Sequence, residues 1–198
     1  MDGYKLLRND RLYSRGGGIC LYYKNYLKCK VLLASDLSSV GTDNNDCTEY
    51  LIVEVRYRDE KFLLGVFYSP PRSDCSEKLH QILSEMFLQY TNVVLVGDFN
   101  TDLTKRNAKT SRFYSVLDNF GINCVNQYPT HFYSDGCSLI DLLLTNNSDF
   151  VLNFNQVSSP GFSKHDIIFS SINISRHAKL NANIRDYNRI NLPNLQST

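Results

Sequence analysis

Asp98 and Asn100 stand at the end of the run Val93–Val94–Leu95–Val96–Gly97. A carboxylate can take a proton and a carboxamide can donate to an anion, so the pair suits the chemistry of phosphate esters. Four apolar β-formers closed by a glycine predict a buried strand that ends at the pair. Side chains at i and i+2 of an extended chain share a face, so both groups are expected to enter the same space. Strand ends in α/β folds are where sites gather. The same residues also satisfy an ordinary strand-to-turn junction, because Asp, Asn and Gly are common in turns.

Three further side chains sit in comparable settings. Tyr68 follows the apolar run Phe62–Leu63–Leu64–Gly65–Val66–Phe67 and precedes Ser69–Pro70–Pro71. Asp141 interrupts the apolar stretch Leu139–Ile140 … Leu142–Leu143–Leu144. A carboxylate there is costly unless it is partnered or faces outward from a half-exposed strand. His165, within Ser163–Lys164–His165–Asp166, precedes Ile167–Ile168–Phe169. Tyr68 packing at a strand end and His165 as a structural imidazole are the plainer alternatives.

Taken in order, these segments and the opening Gly3–Tyr4 … Arg8–Asn9–Asp10–Arg11 … Gly16–Gly17–Gly18–Ile19–Cys20–Leu21–Tyr22–Tyr23 resemble the endonuclease/exonuclease/phosphatase superfamily. Within it, the likeness is to the apurinic-endonuclease-like domain of non-LTR retrotransposons, and it runs over roughly residues 3–174. The resemblance implies a two-sheet α/β sandwich of four layers with the site at one end. It implies a Mg²⁺- or Mn²⁺-dependent phosphodiester hydrolase acting on DNA. Asp98 would orient or deprotonate the attacking water, and Asn100 would donate to the phosphate. Tyr68 would contact the phosphate or the leaving group. His165 would hydrogen-bond a phosphate oxygen while Asp141 holds its ring, and Thr130 would help bind phosphate.

Two departures from that family matter. Its first two strands carry an Asn and a metal-binding Glu, and Met1 begins just upstream of the third recognisable segment. The chain therefore reads as N-terminally incomplete, which is expected to leave an apolar face uncovered near Phe62–Phe67 and Val93–Val96. Its metal ligands stay unassigned, Asp98 being the candidate; Glu49 precedes a strand but falls in a different segment and is not assigned. Second, the family's closing Ser–Asp–His is here Ser163–Lys164–His165. A protonated lysine cannot ligate Mg²⁺, and Asp166 would point the other way. Three readings remain open: a DNA endonuclease-like domain, a non-catalytic remnant that at most binds nucleic acid, and a phosphatase of the same superfamily.

The elements that must position these groups follow from periodicity. Ile19–Tyr23 and Cys29–Leu33 read as strands joined by a turn, and Tyr50–Tyr57 with Lys61–Tyr68 as a hairpin. Ser76–Tyr90 and Ser111–Phe120 carry apolar residues at helical spacing, with Ser76 as N-cap of the first and Gly121 closing the second. Strands follow near 122–126, 129–133, 139–145, 150–157 and 166–174, and a polar, Asn-rich stretch from 175 to 198 reads as a tail or linker.

With 42% hydrophobic and 21% charged residues among 198, the chain fits one globular domain. A net charge of +1 excludes a global basic signature for nucleic acid, leaving local clusters such as Lys105, Arg106, Lys109 and Arg112, which equally suit a solvated helix start. Six cysteines without a CxxC pair, no apolar leader and no membrane-length apolar run suit an intracellular protein, nuclear or cytoplasmic. No small-molecule cofactor is expected, and oligomeric state is not legible.

Overall fold

Alternation along Glu49–Tyr57 sends Leu51, Val53 and Val55 to one side of the strand and Tyr50 and Ile52 to the other. Both sides are apolar, so the sheet built on this strand must be covered on both faces. A computed structural model describes residues 2–11, 17–36 and 47–174. The 175–198 stretch, and most of the polar loop read between Ser35 and Asp46, lie outside the described residues.

The elements run β1 (Tyr4–Asn9), β2 (Ile19–Lys24), β3 (Lys28–Ala34), β4 (Glu49–Tyr57), β5 (Glu60–Tyr68), α1 (Ser76–Met86), β6 (Val93–Asp98) and α2 (Ala108–Asn119). They continue with β7 (Asn123–Cys124), β8 (His131–Tyr133), β9 (Gly136–Ser138), β10 (Asp141–Thr145), β11 (Val151–Val157) and β12 (Ile167–Ile172). A six-stranded sheet has the order β3-β4-β5-β6-β10-β7. Only β5 and β6 among its first four neighbour pairs run parallel, because α1 carries the chain across between them.

One face of this sheet, through Ile52, Leu63, Phe67, Leu95, Leu142 and Leu144, packs on Leu79, Ile82 and Leu83 of α1 and Phe113, Val116 and Leu117 of α2. The opposite face, through Leu51, Val53, Phe62, Val94 and Leu143, meets the hairpins β1–β2 and β11–β12. The result is an α/β sandwich in which one six-stranded sheet lies between the helices and two separate two-stranded hairpins, three layers among the described residues.

Several elements differ from their sequence reading. β2 and β3 do not form a hairpin: β2 pairs with β1 and β3 with β4. Ile19 and Leu21 are needed on the hairpin face of the sandwich, so the chain changes sheets at Asn25. Ser76 lies inside α1, and Asp74 Oδ1 accepts its N–H at 3.0 Å. Asn107 caps α2 by accepting the Thr110 N–H, three residues earlier than expected. The 129–133 segment is half of a small hairpin, β8–β9.

The runs expected near solvent divide by face. Val93, Leu95, Leu63 and Phe67 are buried under the helices, whereas Leu64, Val66 and Val96 are only partly buried on the hairpin side. There a groove of about 570 Å³ lies between Leu21 of β2 and Ile168 of β12, over Leu64, Val96 and Leu143. All six cysteines are free thiols, and no helix among the described residues is long and apolar enough to cross a membrane.

Gly97 sets the closest approach of β6 to β5. It has φ +142°, and a Cβ there would collide with the Phe67 backbone. Gly97→Ala is therefore expected to destabilise the chain by at least about 3 kcal/mol, through backbone strain and loss of the parallel pairing. Urea denaturation checks this, and a midpoint equal to that of the parent would show that β6 can move away from β5 without cost.

Candidate active site

The register of four neighbouring strands places their polar ends on one rung. Glu49 lies opposite Tyr68, Tyr68 opposite Asp98, and Asp98 opposite Asp141. Parity puts all four on the hairpin side, where Leu51, Val66, Val96 and Leu143 form apolar positions two residues further in. A polar row thus closes one end of the apolar layer between sheet and hairpins. His165 joins it from the loop before β12, which Phe132 N–H ties to β8 by donating to the Lys164 carbonyl.

Asp98, Asp141 and His165 converge. His165 Nδ1 lies 2.9 Å from Asp141 Oδ2, and one ligand atom from each of the three residues falls within 4.8 Å of the others. Burial pushes the Asp98 carboxyl up to about 6; the Asn100 N–H opposes this and the facing Asp141 reinforces it. His131 packs against His165 with ring centroids 4.4 Å apart and the planes tilted by 38°, and burial, followed by the His165 charge, holds its imidazole below the ordinary value. Two facing carboxylates and an imidazole fit a divalent cation: the oxygens suit Mg²⁺ and the mixed set suits Mn²⁺. A cation would also offset the Asp141 repulsion that adds to the effect of burial on Asp98.

Asn100 reaches Asp98 by a different route from the one expected. The strand stops at Asp98, and Asn100 has φ +44°. Its backbone N–H donates to Asp98 Oδ1 at 2.9 Å, and its amide donates to Asp98 Oδ2 at 3.1 Å and to the Ser69 carbonyl at 2.8 Å. Both amide hydrogens are engaged within the protein, so Asn100 fixes the base candidate. Thr130 is fully buried, and its hydroxyl accepts the Asp141 N–H at 3.0 Å. It stands behind Asp141, where a backbone N–H leaving the strand edge needed an acceptor.

Lys164 is exposed and outside the carboxylate–imidazole group, while Asp166 accepts from Gln156 Nε2 at 2.7 Å. Of the basic cluster, Lys105 pairs with Asp102 at 3.2 Å, Arg112 with Asp74 at 2.7 Å, and Lys109 donates to the Asn100 carbonyl at 2.7 Å. Sequence reasoning assigned no site role to Glu49, His131 or Asn126. Asn126 is buried and clamps β10 through the Asp141 carbonyl and the Leu143 N–H. Glu49 was findable, since it shares parity with Leu51, Val53 and Val55; nothing local marks the other two.

A family model described as endonuclease-reverse transcriptase matches residues 62–169, just over half of the chain. The chain belongs to this endonuclease–reverse transcriptase family. The match spans Tyr68, Asp98, Asn100, Thr130, Asp141 and His165.

Solved structures share the fold. The endonuclease domain of TRAS1, a telomere-specific non-LTR retrotransposon, aligns with TM-score 0.66 at 16% identity, over 89% of this chain and 83% of that one. An endonuclease/exonuclease/phosphatase family protein from Leptotrichia buccalis C-1013-b gives 0.63 at 17%, over 87% and 72%. The human Nocturnin catalytic domain with bound sulfate gives 0.51 at 14%, over 85% and 73%. The comparison with curated proteins returned no match.

The raised Asp98 carboxyl makes stability depend on pH. Its folded pKa lies above the unfolded value, so its favourable contribution is complete at low pH and is lost as pH rises through about 6. Asp98→Asn removes the ionisation, although its amide then meets that of Asn100 at every pH. Relative to the parent in EDTA, the variant should gain about 1–2 kcal/mol between pH 5 and pH 8, allowing for the carboxylate's residual solvent access. Thermal melts across that range check this, and parallel curves would show that Asp98 titrates normally.

Proposed function

We propose that this member of the endonuclease–reverse transcriptase family is a divalent-metal-dependent DNA endonuclease domain. The observation that carries the reading is the convergence of Asp98, Asp141 and His165 at the mouth of the sandwich, with Tyr68 beside Asp98 in the row. In this reading Asp98, ionisable near neutrality and fixed by Asn100, accepts the proton of the attacking water. His165 donates from its other ring nitrogen to a phosphate oxygen, while Asp141 fixes the ring. Tyr68 offers its hydroxyl to the phosphate or the leaving oxygen. A bound Mg²⁺ or Mn²⁺ supplies neutralisation of the phosphate and a more acidic water. Asp98 and Asp141 would hold it. The exposed Lys164 adds no ligand and leaves the two carboxylates to hold the cation.

Nicking of supercoiled plasmid is expected with Mg²⁺ or Mn²⁺ and not with EDTA. Asp98→Ala should lower the rate by at least about a hundredfold, since it removes both the proton acceptor and a cation ligand. A variant that nicks as fast as the parent would assign the activity elsewhere. Inhibition by small phosphate esters at concentrations that leave DNA binding intact would favour a phosphatase instead.

A further inference from the structure

Glu49 ends the polar row, fully buried, and its charge is met inside the protein. Oε1 pairs with Arg11 Nη2, and Oε2 accepts the Gly18 N–H at 2.5 Å. Arg11 is itself nearly buried, its side chain 11% exposed. The Gly17–Gly18 backbone closes over the pair: Gly17 has φ +82°, and a Cβ there would collide with the guanidinium and approach Glu49 Oε1 to 2.7 Å. The guanidinium carbon lies 6.0 Å from the centroid of the Tyr68 ring. Arg11 Nε has no hydrogen-bond partner among the described residues.

Closing an apolar layer does not require this arrangement. Two charges taken out of water lose hydration that their mutual attraction repays only in good geometry, and apolar residues of similar volume serve stability as well or better. A buried carboxylate with arginine does something a leucine cannot. It holds a flat, permanently charged group in one place and orientation, and such a group attracts an aromatic face. The ring it meets belongs to Tyr68, the next residue in the row and the neighbour of Asp98.

We propose that Arg11 and Glu49 are a positioning pair for Tyr68. Glu49 fixes the guanidinium, and the guanidinium fixes the Tyr68 ring beside Asp98. The pair touches neither substrate nor metal and acts through the phenol. The inference rests on the reading of Tyr68 as a phosphate- or leaving-group contact, and its test separates the two.

The full chain carries Glu49→Gln, Arg11→Lys, or the neutral combination Arg11→Met with Glu49→Gln, each with and without Tyr68→Phe. Single-turnover nicking gives the rate and the half-saturating protein concentration, and melting temperatures report on folding. A misplaced reacting group costs up to about a hundredfold, so each pair variant should lose roughly ten- to a hundredfold in rate, with half-saturation within about twofold. In the Tyr68→Phe background these losses should largely vanish, because the residue acted upon is gone. The neutral combination should melt near the parent yet remain slow. Losses that multiply in both backgrounds, or a neutral combination as fast as the parent, overturn the positioning role and leave the endonuclease reading intact. If the parent itself does not nick, that reading fails, and NMR of ¹³C-tyrosine-labelled protein decides the pair. Tyr68 ring signals, assigned by their loss in Tyr68→Phe, should move in Glu49→Gln while those of Tyr90 stay. Unmoved Tyr68 signals overturn the proposal.

Discussion

The register of β4, β5, β6 and β10 is the constraint on which the rest of the structure depends. Side chains alternate with a period of two, so a slip of one residue in any of these strands would send its polar end under the helices and an apolar residue to the mouth. Gly97 is one pin: with φ +142° and Phe67 backbone against it, β6 and β5 meet at one height only. Thr130 and Asn126 hold the start of β10 by binding its N–H and carbonyl groups where a neighbouring strand would otherwise do so. Asp98 and Asp141 face one another because backbone partners on three elements leave them no other alignment.

Most of this framework is legible in the residues. The strand runs, both helices and the end-of-strand positions of Tyr68 and Asp98 follow from apolar periodicity and from polar residues placed where an apolar pattern stops, whereas Asp141, read inside a strand over 139–145, begins β10. Partnership is less legible. The β2–β3 pair read as a hairpin because a turn lies between them, yet the apolar layer claims β2 for the other sheet. Asn100 looked like the next residue of a strand, and only its positive φ reveals that it folds back on Asp98. Thr130 carries a hydroxyl suited to phosphate, and only burial shows that the group serves a backbone N–H. In each case the deciding contact is remote in sequence, and local composition does not encode it.

The row divides into two electrostatic regimes. At the Glu49 end, Arg11 cancels the carboxylate within the protein. At the other end, Asp98 and Asp141 face each other, and two unit charges about 5 Å apart repel by about 3 kcal/mol at an effective dielectric of about 20. Burial, with this repulsion added to it, lets Asp98 hold its proton up to about pH 6. The negative end is therefore uncomfortable at neutral pH without a cation, and the neutral end is not. Tyr68, uncharged, stands between them.

That division argues for function more than the presence of either carboxylate alone. Stability by itself would favour apolar residues across the whole rung, as it does two residues further in at Leu51, Val66, Val96 and Leu143. Where a buried charge serves only to hold a neighbour, the fold can supply its partner, as Arg11 does for Glu49. Where a charge must meet something that arrives from solvent, the partner has to be left out, and the Asp98 carboxyl, raised first by burial and then by the facing Asp141, stands at such a place. The protein leaves the omission at the open end of the sandwich, next to the imidazole and the phenol, and pairs Glu49 with Arg11 at the other end.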